Sequence, residues 1–272
     1  MGPDETAADA ATGVGLGTAR NTDPEQCAES VRAALEAGYR HVDTAQDYDN
    51  EAYVGDGVER ADVPREEVFL ATKVATANLG GEDVVESVRG SLDRLGVEYV
   101  DLLYVHWPIG EYEATDTLPA FDRLREEGLV RHVGLSNFTL DLLDEAREVL
   151  DAPVFAHQVE LHPFLPQGEL RGYAAEHGHR LVAYSPLAKG RVLDDPTIRE
   201  VADRRDATPA QVTLAWHLAK GVVPIPKATG EAHVRENLAA ADVELTEADV
   251  AAIDDIEAEE RVIDFDEAPW NG

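Results

Sequence analysis

The sequence contains one cysteine, Cys27, in 272 residues, so an intrachain disulfide and a metal site built from several cysteines are excluded. It also lacks any apolar run of the roughly 18–20 residues that a membrane-spanning helix needs. The segment 1–11 is acidic and alanine-rich, without the basic and apolar stretches of a secretory signal, and we therefore expect a cytoplasmic protein. Hydrophobic residues make up 44% of the chain, which supplies a substantial core and excludes global disorder.

Basic residues are scarce. Lysine and arginine total 23 against 55 acidic residues, and the formal net charge is −32. Such a field repels phosphate backbones and anionic lipids, so nucleic-acid and membrane-surface partners are not expected. The acids are spread along the whole chain, which favours a surface adapted to molar salt over an acidic interaction tail. We therefore expect a halophilic source and a high-salt cytosol.

Short β-branched runs alternate with longer amphipathic segments. Most of the runs are continuously apolar, which is typical of parallel strands buried on both faces. The predicted strands are 13–18, 41–43, 68–73, 100–106, 130–135, 155–160, 180–184 and 222–225. The predicted helices are 24–37, 82–95, 116–127, 140–149, 167–177, 196–205, 209–220, 231–240 and 247–259.

Eight β-then-α units without a linker predict a closed (β/α)8 TIM barrel. We expect one domain over 1–272, with an acidic segment at 1–12 and a C-terminal helix and tail, 242–272, over the barrel. The competing fold is a dinucleotide-binding sheet, whose G-x-G-x-x-G fingerprint would follow the first strand. The glycines at positions 13, 15 and 17 fail that spacing, although Asp43 resembles its ribose-binding carboxylate. We also expect a monomer.

Four polar groups stand at or just after predicted strand ends, where a barrel of this type places its chemistry. They are Asp43, Tyr48, Lys73 and His106. A lysine ending an apolar strand is costly unless it is paired, and Asp43 is the expected partner. The ammonium of Lys73 is expected to lower the pKa of Tyr48, which makes that hydroxyl an acid suited to protonating a carbonyl oxygen. His106 is expected to donate a hydrogen bond to the same oxygen.

The sequence resembles the aldo-keto reductases. The resemblance is carried by GYRHVDTA at 38–45 with Tyr48, by ATK at 71–73 and by LYVHWP at 103–108, and it continues through GLSNF at 134–138, QVELHP at 158–163, YSPL at 184–187 and IPK at 225–227. It resembles the prokaryotic branch that contains diketo-gluconate reductases and general aldehyde reductases. It implies that Tyr48 donates the proton, supported by Lys73, Asp43 and His106, while a nicotinamide cofactor transfers hydride to a small carbonyl substrate.

The resemblance also implies a cofactor site. Ser136, Asn137 and Gln158 would bind the carboxamide, and Tyr184 would stack on the nicotinamide ring. Lys227 would pair with the 2′-phosphate that distinguishes NADP from NAD. The other implied cofactor residues are Gly17, Thr18, Ser185, Leu187, His233, Glu236 and Asn237, and the implied substrate-pocket residues are Ala19, Trp107 and Trp270.

The chain departs from the family pattern at several positions. Ala228 and His233 replace a usual serine and a usual arginine around the 2′-phosphate, and Arg235 lies two positions out of register. NADP(H) is therefore the favoured cofactor, and NAD(H) remains open. Ala19 replaces a common bulky aromatic of the pocket. The amino-terminal hairpin that usually closes the barrel floor is absent or replaced by the acidic segment before Gly13.

Other polar residues carry simpler interpretations. Strand alternation puts Glu160 and His162 on one face and His157 on the other, so no metal site is expected. His217 in a helix is expected to be a packing residue, and Cys27 has no basic partner that would activate it. The alternative function is a non-catalytic nicotinamide-binding redox sensor, against which the complete set of four polar groups argues.

Overall fold

A computed structural model describes residues 13–271, and the acidic segment 1–12 lies outside the described residues. Within 13–271, eight parallel strands form one sheet in sequence order, which confirms the (β/α)8 barrel. The strands are β1 (Leu16–Gly17), β2 (His41–Asp43), β3 (Phe69–Val74), β4 (Val100–Val105), β5 (Val130–Ser136), β6 (Val154–Glu160), β7 (Arg180–Tyr184) and β8 (Val222–Pro224).

The seam where β1 meets β8 closes the barrel. The backbone N–H of Gly15 donates to the carbonyl of Pro224 (2.9 Å), and that of Gly17 donates to Pro226 (3.1 Å). Because proline has no N–H, the two prolines return no bond to β1. This one-sided pairing explains why β1 and β8 are shorter than the predicted 13–18 and 222–225.

The helices lie between and after the strands. They are α1 (Pro24–Ala37), α2 (Glu51–Arg60), α3 (Gly81–Leu95), α4 (Ala114–Glu126), α5 (Leu140–Val149), α6 (Gly168–His177), α7 (Pro196–Arg205), α8 (Pro209–Ala219), α9 (Glu231–Leu238) and α10 (Glu247–Asp254). Both α7 and α8 connect β7 to β8. None of the helices within the described residues is long and apolar enough to cross a bilayer.

Helix α1 begins and ends where its sequence predicts. The Asp23 side chain accepts a hydrogen bond from the backbone N–H of Gln26, and Pro24 occupies the first helical position. Gly38 ends the helix with φ 115°, a left-handed conformation that costs glycine little.

Helix α2 is absent from the sequence prediction. Its two internal glycines, Gly55 and Gly57, lower helix propensity and hide the pattern. In the structure they permit close packing: a Cβ at Gly55 would lie 2.3 Å from the carbonyl oxygen of Leu95, and one at Gly57 would lie 2.6 Å from that of Ala28. Tertiary contact with α1 and with the end of α3 therefore outweighs local propensity.

Helix α10 ends at Asp254, five residues before the predicted 259, because the chain then turns towards the carboxyl ends of the strands. The carboxylate of Asp254 accepts from the Trp216 indole (2.8 Å) and from Lys220 (2.6 Å) on α8. Beyond the helix, the backbone N–H of Glu260 donates to the carbonyl of Phe164 (2.8 Å). The chain beyond α10 is thereby held against the loop that follows β6.

Candidate active site

A cleft of about 690 Å³ opens at the carboxyl ends of the strands, the side on which barrels of this type carry their functional groups. Asp43, Tyr48 and His106 line it, and Lys73 lies fully buried behind them. The structure thus brings together the four polar groups that the sequence predicts at strand ends.

Lys73 and Asp43 form a buried ion pair across β3 and β2. The Lys73 ammonium also donates to the carbonyl of Thr44 (2.8 Å), and the second carboxylate oxygen of Asp43 accepts from Gln158 (2.8 Å). Burial lowers the pKa of Lys73, but the negative charge of Asp43 and the interaction with Tyr48 outweigh it, so that the net pKa is raised. The lysine is therefore held as a cation in a site closed to water.

Tyr48 lies on a short 3-10 turn, Gln46–Tyr48, that is fixed at both ends. The side-chain amide oxygen of Gln46 accepts from the backbone N–H of Ala75 (2.9 Å). After the turn, the Asn50 amide donates to the carbonyl of Thr18 (2.8 Å), and the buried Glu51 carboxylate accepts from Thr72 (2.6 Å). The half-buried Tyr48 ring is thus presented to the cleft from an anchored loop.

The expected effect of Lys73 on Tyr48 is present but does not dominate. Burial raises the pKa of the Tyr48 hydroxyl, and the Lys73 ammonium, 5.1 Å from the ring centroid, lowers it by less. The net pKa is therefore above the usual value near 10, so the expected net lowering is wrong. The Tyr48 side chain is therefore a neutral hydroxyl in the folded chain.

His106 follows β4 and is the neighbour of an acidic residue that the sequence analysis missed. Its Nδ1 lies 2.9 Å from the Asp47 carboxylate. Burial lowers the pKa of His106 below its usual value near 6.5, while Asp47 opposes the shift, and the Tyr48 ring meets the imidazole edge-on at 5.7 Å. The only signal in the sequence was the position of Asp47, directly before Tyr48.

A polar cradle follows along β5, β6 and β7. The Asn137 amide donates to the carbonyl of His106 (2.9 Å) and to the Ser136 hydroxyl (3.0 Å), and its oxygen accepts from the Tyr184 hydroxyl (2.8 Å). Asn137 and Ser185 have φ values of 65° and 47°, a conformation that is rare outside glycine and that clusters at functional sites. Ser136, Asn137, Gln158, Tyr184, Ser185 and Leu187 all line the cleft.

The opposite end of the cleft lies at the β1–β8 seam and is cationic. Gly17, Thr18 and Ala19 line it, together with Arg20 and Lys227. Lys189 follows β7 and also lines the cleft, and its ammonium donates to the carbonyl of Val262 (2.7 Å). A Cβ at Gly17 would lie 2.7 Å from the carbonyl oxygen of Ile225, so this close crossing requires glycine. Three cationic side chains at one cleft, on a chain so poor in them, mark a site for an anionic group.

The C-terminal tail is fastened beside the cleft by Glu160. Its fully buried carboxylate accepts from the backbone N–H groups of Val262 (2.6 Å) and Ile263 (2.8 Å) and lies 3.0 Å from His162 Nε2. Ile263 lines the cleft. We call this arrangement the Glu160 latch.

The two tryptophans predicted for the substrate pocket, Trp107 and Trp270, differ in whether they line the cleft. Trp107 lines the cleft, and Phe265 packs edge-on against it at 4.9 Å. Trp270, 5.7 Å from Trp107, lies outside the lining of the cleft and instead lines a neighbouring cavity with Arg261, whose guanidinium sits 3.7 Å above its ring. Trp270 therefore backs Trp107.

His233, Glu236 and Asn237 lie on α9 and do not line the cleft. His233 is exposed, Glu236 is half-buried and Asn237 is buried. Within residues 13–271, no group of three or more His, Cys, Asp or Glu side chains is arranged to hold a metal ion.

Two further residues behave as structural groups. The ring nitrogens of His217 lie 2.8 Å from the carbonyl of Thr213 and 2.9 Å from that of Leu161, as suits a packing residue. Burial raises the pKa of the Cys27 thiol to about 11, which leaves it unreactive.

Sequence comparisons identify similar proteins over nearly the whole chain. A model of the Aldo/keto reductase family matches residues 13–258. The chain is 43% identical over 245 residues to an aldo-keto reductase of Mycolicibacterium vanbaalenii, covering 90% of this chain and 88% of that protein. It is 39% identical to a glyoxal reductase of Bacillus subtilis, covering 91% and 90%.

Solved structures show the same similarity. A putative 2,5-diketo-D-gluconic acid reductase B superposes with a TM-score of 0.90 at 36% identity, covering 94% of this chain and 91% of that one. An aldo-keto reductase of Bombyx mori in complex with NADP superposes with a TM-score of 0.86 at 31% identity, covering 93% and 91%.

Proposed function

The chain belongs to the aldo/keto reductase family, and from that premise we propose that it reduces a small aldehyde or ketone to an alcohol, with NADPH as hydride donor and Tyr48 as proton donor. The similarity to a glyoxal reductase supports a small aldehyde as substrate. The observation that carries the proposal is the buried Lys73–Asp43 pair directly behind the Tyr48 ring, at the wall of the cleft.

Proton delivery follows from this arrangement. When hydride reaches the carbonyl carbon, the electron pair of the C=O π bond moves to oxygen, which takes the proton from the Tyr48 hydroxyl. The resulting tyrosinate is stabilised by the Lys73 ammonium, and Asp43 holds that ammonium in place. The proton transfer thus becomes easier as negative charge develops on the oxygen.

The residues of the cleft fit a nicotinamide dinucleotide phosphate, which supplies the hydride when bound. The Ser136, Asn137 and Gln158 side chains offer the amide and hydroxyl groups that a carboxamide requires, and Tyr184 offers a ring face. Lys227 and Arg20 at the seam, with Lys189 elsewhere in the lining of the cleft, offer positive charge for phosphate groups. His233, Glu236 and Asn237 on α9 would take the adenine end. The NADP complex of the Bombyx mori relative supports the same choice of cofactor.

The test measures cofactor oxidation at 340 nm by the purified chain in molar KCl, with NADPH and NADH side by side against aldehydes, sugars, diketones and keto-acids. We expect turnover with NADPH on at least one small carbonyl. The Tyr48→Phe variant should still quench its fluorescence on binding NADPH but lose about 10²–10⁴-fold in carbonyl reduction, the usual contribution of a general acid.

Near-parental turnover by Tyr48→Phe would exclude Tyr48 as the proton donor. Cofactor binding by the parent without turnover on the whole panel would favour a nicotinamide-binding sensor. Absence of cofactor binding would overturn the proposal altogether.

A further inference from the structure

His106 reaches the cleft with one of its two ring nitrogens already engaged. Nδ1 lies 2.9 Å from a carboxylate oxygen of Asp47, which is on the loop before Tyr48. Within residues 13–271 the other nitrogen, Nε2, has no hydrogen-bond partner, and it is not among the buried polar atoms left unpaired. Because His106 lines the cleft, Nε2 is the nitrogen available to a ligand.

The chemistry of the partner decides where the imidazole proton lies. The Asp47 side chain is 45% exposed, so its carboxylate stays hydrated, and a carboxylate accepts hydrogen bonds and donates none. A neutral imidazole beside it therefore carries its one proton on Nδ1. Nε2 then carries a lone pair and accepts a hydrogen bond from a hydroxyl group. A carbonyl oxygen is itself only an acceptor and forms no hydrogen bond with it.

This inference rests on the proposed function. We propose that Asp47 is a positioning residue that keeps the His106 proton on Nδ1, so that His106 accepts from an alcohol when it is neutral and donates to a carbonyl only when it is protonated. The sequence analysis expected His106 to donate a hydrogen bond to the substrate oxygen and assigned no protonation state to the imidazole. The Asp47–His106 pair therefore makes the cleft prefer carbonyl ligands at acidic pH, when His106 is protonated, and alcohols at higher pH, when it is neutral.

The charged groups around His106 come from three elements. Asp47 on the 3-10 turn and Asp43 at the end of β2 favour the protonated imidazole, while Lys73 on β3 opposes it. Burial, the largest influence, also opposes protonation, so the pKa of His106 lies below its usual value near 6.5. Tyr48 and Trp107 contact the ring, with centroids 5.7 Å and 6.3 Å away, and are uncharged there.

The first test reads the tautomer without any turnover. Imidazole ¹⁵N shifts of the uniformly labelled chain, assigned by the signals lost in His106→Gln, should show the proton of neutral His106 on Nδ1. Asp47→Leu, which removes the acceptor, should move it towards Nε2. A parent that carries the proton on Nε2 would overturn the proposal whether or not the chain reduces carbonyls.

The second test is the pH profile of kcat/KM, which reports ionisations of the free enzyme. Parental carbonyl reduction should fall tenfold per pH unit above the His106 transition. Asp47→Leu should lose this fall, because neutral His106 can then donate from Nε2. Asp47→Asn should keep the fall, since its amide oxygen still accepts, but at lower pH, because the charge that favours protonation is gone.

Asp49→Asn is the matched control. Asp49 lines the same cleft, and Asp49→Asn removes one negative charge, as Asp47→Asn does. Asparagine also tolerates the left-handed φ of 52° at this position. It should leave the pH of the transition unchanged. If Asp49→Asn moved the transition as far as Asp47→Asn, or if Asp47→Leu kept the parental fall, the effect would be the general field of the cleft and the proposal would be wrong.

Discussion

The ammonium of Lys73 lies 5.1 Å from the centroid of the Tyr48 ring, while the same ammonium is paired with Asp43 on the neighbouring strand. One buried cation thus serves two partners. Of the four polar groups of the site, only Lys73 does not line the cleft. Substitutions of Lys73 and its partner can therefore separate the expected contribution to proton transfer from the contribution to stability.

Replacement of Lys73 tests both contributions. Lys73→Met should raise the pKa of Tyr48 further, because the lowering influence of the ammonium is lost, and should reduce carbonyl reduction about 10²–10⁴-fold. It also leaves Asp43 as an uncompensated buried charge, which costs about 3–5 kcal/mol of unfolding free energy. Urea unfolding and turnover measure the two effects. The Asp43→Asn/Lys73→Met double variant should regain stability and stay as inactive; recovery of turnover with stability would contradict the catalytic role.

Lys227 is predicted to select NADPH over NADH. Lys227→Met should raise the KM for NADPH about 10–100-fold, the loss expected for one charge-assisted hydrogen bond, and leave the KM for NADH nearly unchanged. Steady-state kinetics with both cofactors measure the effect. Arg235→Gln is the comparison, since Arg235 is exposed on α9 and pairs with Glu231 (2.8 Å). A loss in Arg235→Gln alone would transfer the role from Lys227 to Arg235.

Acid should destabilise the fold through His157. This residue is fully buried beside His179, and burial lowers its pKa to about 3. Below pH 6.5 the unfolded chain therefore binds a proton at this histidine that the folded chain does not bind. As the pH decreases from 6.5 towards the folded pKa, the free energy of unfolding decreases by about 1.4 kcal/mol per pH unit. His157→Leu should lack this contribution, so its unfolding free energy should decrease less than that of the parent as the pH is lowered. The exposed His233→Gln should show the parental slope; an identical slope in His157→Leu would rule out the linkage.

Weakening the Glu160 latch should loosen the tail. Glu160→Gln keeps the volume of the side chain but replaces charge-assisted hydrogen bonds to the N–H groups of Val262 and Ile263 with weaker ones. We expect faster trypsin cleavage after Arg261 and a higher KM for the carbonyl substrate, because Ile263 lines the cleft. Limited proteolysis under native conditions measures the first effect. The neighbouring exposed Glu259→Gln should be cleaved at the parental rate, and equal rates for both variants would refute the latch.

The barrel and its polar centre were predictable because the signals are local. Continuous apolar runs identify buried parallel strands, and the caps at Asp23 and Gly38 set α1. Helix α2 was missed because Gly55 and Gly57 serve contacts with residues far away in sequence. The Asp47–His106 contact and the Glu160 latch join residues 59 and about a hundred positions apart, and no periodic pattern reports such pairings.

Electrostatic balance was the least predictable property. The sequence places Lys73 near Tyr48, and proximity alone argues for a lowered pKa. The sign depends on how deeply the hydroxyl is buried, which only the assembled wall of the cleft determines. The same holds for His106, whose neighbour Asp47 decides which nitrogen is free.

The seam between β1 and β8 also bears on how the protein is made. Arg20 and Lys227, which meet there, are separated by 207 positions. During synthesis the first strand leaves the ribosome long before its partner exists, so the cationic end of the cleft cannot form on a partial chain. A nascent chain therefore lacks the complete cationic end of the cleft, and the proposed coenzyme can bind there only after the last strand has closed the barrel.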